Sequence, residues 1–450
     1  MYHTVALYFA QHLLVQCPAV QELSGAAGST MIVMLLHRCQ DRLTGSEMPA
    51  TAFSKVTHLE LSSLSVSLQQ AVELSRQNLI MLDMSHATDL RVAANFGQEP
   101  RVKDLKHLYL SNCSLQELPE SLGELKSLKT LDVASNSLSQ LPRLLPSTLE
   151  GLYVSDNQLT QLPLTLQSMS SLRSLDVTNN HDLRSLPPLL GTNAQIDTVL
   201  ASCCNLVNGL PESLFDSTTE KKKLRLLSLR SSNLRQLPVN LGSAVSLTGY
   251  LSLGHNQLTS LPPSIGHANK LMGLSLDNNR DLKVLPQSLA NLTRLSTFDC
   301  KFCSSLQQCN GCLPKSLRFL VATGSADFDV IDAMSGTLTK LFTLDASFTA
   351  TTLRQRLPDK FVLMQSLKKV TLNGCGGGPR LTELPLRWDR LTNLRELSFE
   401  VCLCVSFGLM LCMSAVIVTH LHQVRFHTPT SLFFSRRGMI FGYFLNLNQT

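Results

Sequence analysis

Charged side chains are scarce in this 450-residue chain and make up only 16% of it. The 33 acidic and 39 basic residues leave a net charge of +6, which over such a length is a weak sign of nucleic-acid binding. The one basic run, Lys221-Lys222-Lys223, has no interleaved aromatic residues and is typical of a solvated loop. We therefore expect no nucleic-acid partner.

The sequence also lacks the marks of export and of catalysis. Its 13 cysteines are an odd number and are not clustered, so they do not indicate a disulfide scaffold. The apolar stretch Val5–Val15 has no Lys or Arg before it, unlike a secretory signal. These features favour a reducing, cytoplasmic location. There is no HExxH motif, and the triplet Gly376-Gly377-Gly378 lacks the Lys-Ser/Thr of a phosphate loop. We expect no enzyme activity and no cofactor.

What the sequence does contain is a repeat of 21 to 28 residues. About fifteen copies occur, and they predict a solenoid over residues 56–400 rather than one large core. The copies begin at Val56, Leu79, Leu105, Leu128, Leu149, Leu172, Ile196, Leu224, Thr248, Leu271, Leu295, Leu317, Leu341, Leu367 and Leu394.

Each position of the repeat has a physical role. The first, fourth and sixth positions are apolar, and the fourth and sixth have the spacing of one face of a strand. The ninth position is Asn or Cys, as in Asn136 and Cys113. A buried amide there can bond the backbone of the adjacent turn, and a thiol fits the same small space. A Leu-Pro pair such as Leu118-Pro119 then ends the turn.

This pattern resembles that of the leucine-rich-repeat family over most of the chain. The Leu-Pro-x-x-Leu element resembles the intracellular subclass of Ras-suppressor-like and plant Ras-group proteins. The resemblance implies an α/β solenoid, a right-handed horseshoe with a parallel β-sheet on its concave face, in which each repeat packs only against its neighbours. It also implies a non-enzymatic scaffold or adaptor that recognises a partner protein, possible partners being signalling or cytoskeletal proteins.

Residues between the inward positions should line the exposed face of the sheet. The fifth position supplies Tyr109, Asp132, Tyr153 and Asp176 on successive strands, and Asp156 lies nearby. At about 4.8 Å between strands, the two tyrosines would stand ~10 Å apart with Asp132 between them. Exposed tyrosines beside carboxylates suit a binding hot spot. A solvated polar face with incidental tyrosines explains the same residues equally well.

A second, more basic candidate lies farther along the chain. It comprises Arg225, Arg230, Tyr250 and His255. A basic region beyond an acidic one would suit a protein partner of mixed charge.

Two CxxC pairs, Cys300/Cys303 and Cys309/Cys312, raise the possibility of a zinc site. The repeat register opposes it. Cys300 falls on the inward sixth position, Cys303 on the ninth, and Cys309 on a position that leucine occupies in longer repeats. We expect core cysteines and no bound metal.

The two ends are predicted separately. Residues 1–55 form an N-terminal segment that suits a degenerate capping repeat. Residues 401–450 form a hydrophobic C-terminal segment, in which 401–421 contain no Asp, Glu, Lys or Arg. That length could cross a bilayer, but the stretch starts in phase with the last repeat, which fits a hydrophobic cap of that repeat instead. The alternative to a cytoplasmic scaffold is therefore a membrane-anchored recognition receptor with a transmembrane helix near 401–421.

Overall fold

The structure is a computed structural model. It describes residues 57–62, 68–74, 78–87, 90–192, 195–215, 224–243, 247–307, 311–325, 338–348, 359–372, 390–398, 423–426 and 432–434. The chain forms two compact units, Met1–Leu206 and Val207–Thr450, and each is a stack of repeats. The predicted terminal segment 1–55 and the stretch 401–421 lie outside the described residues.

The first unit carries seven three-residue strands that pair in chain order, all parallel and without a register shift. They are β1 (His58–Glu60), β2 (Met81–Asp83), β3 (His107–Tyr109), β4 (Thr130–Asp132), β5 (Gly151–Tyr153), β6 (Ser174–Asp176) and β7 (Thr198–Leu200). Among its described residues, this unit also has α1 (Leu68–Leu74) and the 3₁₀ helices η1 (Phe96–Gln98), η2 (Pro100–Val102), η3 (Glu120–Glu124), η4 (Leu164–Ser168) and η5 (Leu190–Thr192).

The second unit continues the same pattern, and its strands β8 to β16 also pair in chain order and in parallel. They are β8 (Leu226–Ser228), β9 (Tyr250–Ser252), β10 (Gly273–Ser275), β11 (Thr297–Asp299), β12 (Phe319–Val321), β13 (Thr343–Asp345), β14 (Lys369–Thr371), β15 (Glu396–Ser398) and β16 (Gln423–Phe426), followed by the antiparallel β17 (Leu432–Phe434). The 3₁₀ helices in its described ranges are η6 (Glu212–Phe215), η7 (Leu241–Ser243), η8 (Pro263–His267), η9 (Gln287–Asn291) and η10 (Asp359–Leu363).

The core of each unit is a column of leucines, as the repeat predicts. In the repeat that starts at Leu105, the first, fourth and sixth positions are Leu105, Leu108 and Leu110, and all three are fully buried. The middle residue of each short strand faces inward and its two neighbours face outward, because successive side chains alternate across a strand. The outward neighbours are therefore the residues available to a partner.

Proline precedes several of the 3₁₀ helices that follow the strands. The extended residue just before η3, η4 and η8 is a proline, with φ between −62° and −73° (Pro119, Pro163 and Pro262). Their fixed φ and missing N–H suit a helix start. The predicted role of the Leu-Pro pair is confirmed, and the apolar residue that follows it, such as Leu122 or Leu241, is buried.

The ninth position forms the predicted hydrogen-bonded ladder. The side-chain amide of Asn136 donates to the carbonyls of Leu110 (2.8 Å) and Val133 (2.9 Å), and its Oδ1 accepts from the N–H groups of Cys113 (3.0 Å) and Leu115 (2.9 Å). It thus joins two repeats and satisfies backbone groups that no strand partner reaches. Cys113 occupies the equivalent place one repeat earlier and donates its thiol to the Met84 carbonyl (3.1 Å).

The eighth position adopts a left-handed backbone, which the sequence did not predict. Asp156 and His255 both have φ of 54° there, and Phe348 has φ of 52°. Non-glycine residues rarely adopt this conformation, although Asn, Asp and His do so more readily. The turn after each strand therefore presents its eighth residue at the carboxyl end of the sheet, and two of the candidate binding residues lie in such turns.

Candidate functional site

Four of the candidate residues in the first unit lie side by side. Tyr109, Asp132, Tyr153 and Asp176 end the adjacent strands β3 to β6 and pair directly in the strand register. Each is partly exposed. The structure therefore brings this row together as the repeat alignment predicts, with Asp132 between the two tyrosines.

Asp132 and Asp176 also have a structural task. Their Oδ1 atoms accept the backbone N–H two residues ahead, from Ala134 (3.0 Å) and Thr178 (2.9 Å). These short Asx turns hold the bend that follows each strand. The same contact recurs wherever aspartate occupies the fifth position, at Asp83, Asp299 and Asp345. A carboxylate in this row is thus fixed in place before any partner arrives.

The row is an unfavourable place for negative charge. The pKa of Asp132 is raised, first by burial and then by the neighbouring charges of Asp83 and Asp176, although the Ala134 N–H opposes the shift. The pKa of Tyr109 is raised by burial and by Asp83 and Asp132. A cationic group from a partner would relieve this repulsion. Asp156 lies apart in its exposed turn, where it accepts a hydrogen bond from the Asn179 amide (2.7 Å).

His107 belongs to the same surface and was missed from the sequence. Its ring stacks beside that of Tyr109, with centroids 6.5 Å apart and planes 8° apart. Its Nδ1 lies 3.1 Å from the Thr130 hydroxyl. The pKa of His107 is lowered by burial and by the nearby charges of His58 and two lysines, which favours a neutral ring. His107 occupies the third position, which alternates with the fifth on the outward face, so the repeat alignment could have indicated it.

The basic candidate of the second unit divides into two places. Arg225 and Tyr250 lie at the amino ends of β8 and β9, whereas Arg230 and His255 follow the carboxyl ends of the same strands. Tyr250 is 55% exposed and lies flat across the sheet, with its hydroxyl 3.2 Å from that of Thr297. It can do so because Gly273 has no side chain, and a Cβ there would come within 2.1 Å of the Tyr250 ring.

Arg230 and His255 meet at a buried carboxylate that the sequence did not single out, Asp277. Arg230 donates to both of its oxygens, at 2.7 and 2.9 Å, and His255 Nε2 lies 3.3 Å away. Burial alone would raise the pKa of Asp277, but donors from Arg230, Ser275 and Asn278 lower it to about 2. The guanidinium and the imidazole are therefore held in fixed positions while remaining 40% and 45% exposed.

A glycine makes this cluster possible. Arg230, Gly254 and Asp277 occupy the seventh position of three successive repeats. A Cβ on Gly254 would lie 2.0 Å from Asp277 Oδ1 and 2.6 Å from Arg230 Nη1. A side chain there would block the ion pair, so glycine is required between the two partners.

Cys300 and Cys303 take the core places predicted from the register. Cys300 and Cys303 are fully buried, and Cys303 donates its thiol to the Leu276 carbonyl (3.3 Å). Burial raises the pKa of Cys303 to about 12. Cys312 is buried and disulfide-bonded, whereas Cys309 lies outside the described residues. Within the described part of the chain, no group of three or more His, Cys, Asp or Glu could hold a metal ion.

The helices of the described residues are short. None of their helices is long and apolar enough to cross a bilayer.

Comparison with known proteins identifies the fold. Residues 103–144 match the family model described as Leucine Rich repeats (2 copies), and no curated protein sequence matches the chain. A leucine-rich-repeat protein of Leptospira interrogans has a TM-score of 0.62 at 21% identity, covering 84% of this chain and 97% of its own. The functional domain of InlJ from Listeria monocytogenes has a TM-score of 0.54 at 19% identity, covering 80% and 71%. The chain has the leucine-rich-repeat fold.

These structural similarities concern the fold of the chain. A third structure, the TLR13–ssRNA13 complex, has a TM-score of 0.50 at 19% identity and covers 77% of this chain and 50% of that one. Neither the family match nor these structures indicate the Ras-suppressor-like or plant Ras-group subclass, which stays a prediction. InlJ is described as including a cysteine ladder. Here the ninth-position cysteines with described surroundings, Cys113, Cys204 and Cys303, lie in repeats that are not adjacent.

Proposed function

We propose that this chain is a non-enzymatic protein-binding scaffold or adaptor, and that it holds a partner on the exposed face of its parallel sheet. The observation that carries the proposal is the row on β3 to β5. Tyr109 and Tyr153 lie on either side of Asp132 there, and each pairs with it in the strand register. Tyrosine offers a large contact area with few rotatable bonds, which is why it recurs at binding hot spots.

The row is also ordered in advance, which lowers the entropy cost of binding. Asp132 is fixed by the Ala134 N–H, and Tyr109 is stacked on His107. The Tyr153 ring lies over Gly151, where a Cβ would approach its Cε2 within 2.9 Å. The partner best suited to this surface places a Lys or Arg near Asp132, because that charge would offset the repulsion among Asp83, Asp132 and Asp176.

The cluster around Asp277 supports a second contact area for a protein partner in the Val207–Thr450 unit. Arg230 and His255 are held at one end of the strands, and Arg225 and Tyr250 are exposed at the other. Arg230 is already paired with Asp277, so the exposed guanidinium of Arg225 is the cation best suited to a partner's carboxylate.

The Tyr109→Ala/Tyr153→Ala double variant tests the proposal. Tagged full-length wild type and variant would each capture proteins from a cell extract, and a protein bound by the wild type would then be titrated against both. We expect the variant to bind at least about 2 kcal/mol more weakly. Leu164→Ala provides the control, because Leu164 is 68% exposed but lies in η4, away from the strands.

Equal affinity for the double variant and the wild type would reject this row as the binding site. Equal loss in the double variant and in the Leu164→Ala control would point to a general structural effect instead. Thermal melting of all three proteins shows whether the stack of repeats is intact.

The competing proposal is a membrane-anchored recognition receptor, favoured by the uncharged stretch 401–421. Under the scaffold proposal the protein is cytoplasmic, although the disulfide at Cys312 is a feature more common in oxidising compartments. Alkaline carbonate washing of membranes from cells that express the full chain separates the two. Release of the protein supports a scaffold, and retention supports an anchor.

A further inference from the structure

A row of cations and one aromatic ring crosses the second unit just before strands β12 to β15. It consists of Arg318, Phe342, Lys368 and Arg395, all at the second position of successive repeats. Their backbones are hydrogen-bonded in sequence, with the N–H of each residue donating to the carbonyl of the one before at 2.8 Å. The four side chains therefore emerge at the strand spacing of about 4.8 Å.

The ring of Phe342 lies between two cations. The Arg318 guanidinium carbon is 5.6 Å from the ring centroid, and the Lys368 ammonium is 4.8 Å from it. The two cations come from the repeats on either side of Phe342. Cation–π attraction of this kind orders side chains that would otherwise be mobile, while Arg318 and Lys368 remain exposed to solvent.

The positive charge of this row is not neutralised within the described part of the chain. Lys369 pairs with Glu396 at 2.8 Å, but no described carboxylate lies within ion-pair distance of Arg318, Lys368 or Arg395. Phe319 adds an apolar surface beside Arg318, with 43% of its area exposed. We call Arg318, Phe319, Phe342, Lys368 and Arg395 the cation–π patch.

We propose that the cation–π patch binds an acidic, extended segment of a partner protein. This inference rests on the proposed function and names the chemistry of the segment. Its carboxylates would pair with Arg318, Lys368 and Arg395, and an apolar side chain would pack on Phe319. The charge complementarity is direct, because the cations of Arg318, Lys368 and Arg395 face solvent without carboxylate partners in the described chain.

A single-stranded nucleic acid fits the patch less well. Such ligands gain much of their affinity by stacking bases on exposed aromatic faces. The Phe342 ring already holds Arg318 and Lys368 as cation–π partners, so of the two rings in the patch only Phe319 offers exposed area for stacking.

Fluorescence anisotropy of the full-length protein tests the proposal with three labelled probes. These are a short peptide of alternating Glu and Leu, the same peptide with Gln in place of Glu, and an oligothymidylate. The test variant is Arg318→Gln/Lys368→Gln. The control is Arg280→Gln/Lys283→Gln, which makes the same change in charge at exposed residues beyond β10.

We expect the acidic peptide to bind the wild type and the control with equal affinity, and this affinity should fall as the salt concentration is raised. The test variant should bind the peptide about tenfold more weakly than the wild type. The Gln peptide should not bind. If the test variant melts earlier than the control, Arg395→Gln gives the same comparison, since Arg395 makes neither ring contact, and the expected loss is about threefold.

Three outcomes would overturn the proposal. They are failure of the acidic peptide to bind the wild type, equal binding of that peptide to the test and control variants, and oligothymidylate binding that is lost in the test variant but not in the control. None of these results bears on Tyr109 and Tyr153 in the other unit, so the proposed function stands or falls by its own variant.

Discussion

Replacing Asp277 by asparagine removes one buried negative charge while keeping the shape of the side chain. The carboxylate is fully buried and receives two hydrogen bonds from Arg230 (2.7 and 2.9 Å) and one from the Ser275 hydroxyl (2.6 Å). An asparagine offers a single acceptor oxygen and would place its NH₂ group against one guanidinium nitrogen. The variant should therefore be less stable than the wild type.

The size of the effect follows from the pKa. A carboxyl whose pKa falls from 3.8 to about 2 on folding contributes about 2 kcal/mol at neutral pH, since each pH unit corresponds to about 1.4 kcal/mol. Because the folded pKa is the lower one, this stability is fully present above pH ~4 and is lost as the pH falls towards ~2. Asparagine resembles the protonated acid, so the difference between variant and wild type should shrink to about half at pH 3.

Urea unfolding followed by circular dichroism at pH 7, 5 and 3 measures this difference. Asp299→Asn is the control, because Asp299 is 21% exposed and pairs with a solvent-exposed lysine at 3.3 Å. Its loss should stay below about 1 kcal/mol. The electrostatic account of the cluster is refuted if Asp277→Asn lowers the free energy of unfolding no more than the control does. It is also refuted if the loss is the same at pH 7 and at pH 3.

Two further predictions concern the interior. Asn180→Ala should lower the free energy of unfolding by about 2–4 kcal/mol, because the buried amide donates to the Val154 and Val177 carbonyls (3.0 and 2.8 Å). The control Gln158→Ala, at an exposed position, should change it little in the same urea titration. In native protein at pH 8, iodoacetamide followed by mass spectrometry should label the partly exposed Cys203 before Cys303, whose buried thiol has a pKa of about 12. Equal labelling rates would contradict the burial of Cys303.

The strands and the core were predictable because the repeat fixes both. Inward positions must be apolar at fixed spacing, and fifteen copies of one pattern leave little freedom in the register. The ninth-position ladder was predictable for a related reason, since a buried amide such as that of Asn136 must bond backbone that no strand reaches. These features depend on one repeat and its immediate neighbour.

The candidate site was harder to predict because its contacts run across repeats. Arg230 and Asp277 are 47 residues apart, and neither is unusual within its own repeat. His107 and Phe342 were missed for another reason. The prediction placed only the fifth position of the repeat on the outward face of the sheet. The third position shares that face, and the second position lies just before the same strand.

Side chains at the same position of neighbouring repeats make contacts that are not evident along the linear sequence. In a parallel stack, side chains at one position stand about 4.8 Å apart, so a long side chain can reach two strands away only if the intervening residue is small. Gly254 permits this between Arg230 and Asp277, and Gly273 permits it between Tyr250 and Thr297. A glycine at an outward position, between a long polar side chain and a possible partner, is therefore a signal for a bridged cluster. The cation–π patch has no such glycine, and its side chains are ordered by nearest neighbours instead. The bridge lets Asp277 neutralise the charge of Arg230, whereas no described carboxylate lies within ion-pair distance of Arg318, Lys368 or Arg395, and their charges face solvent.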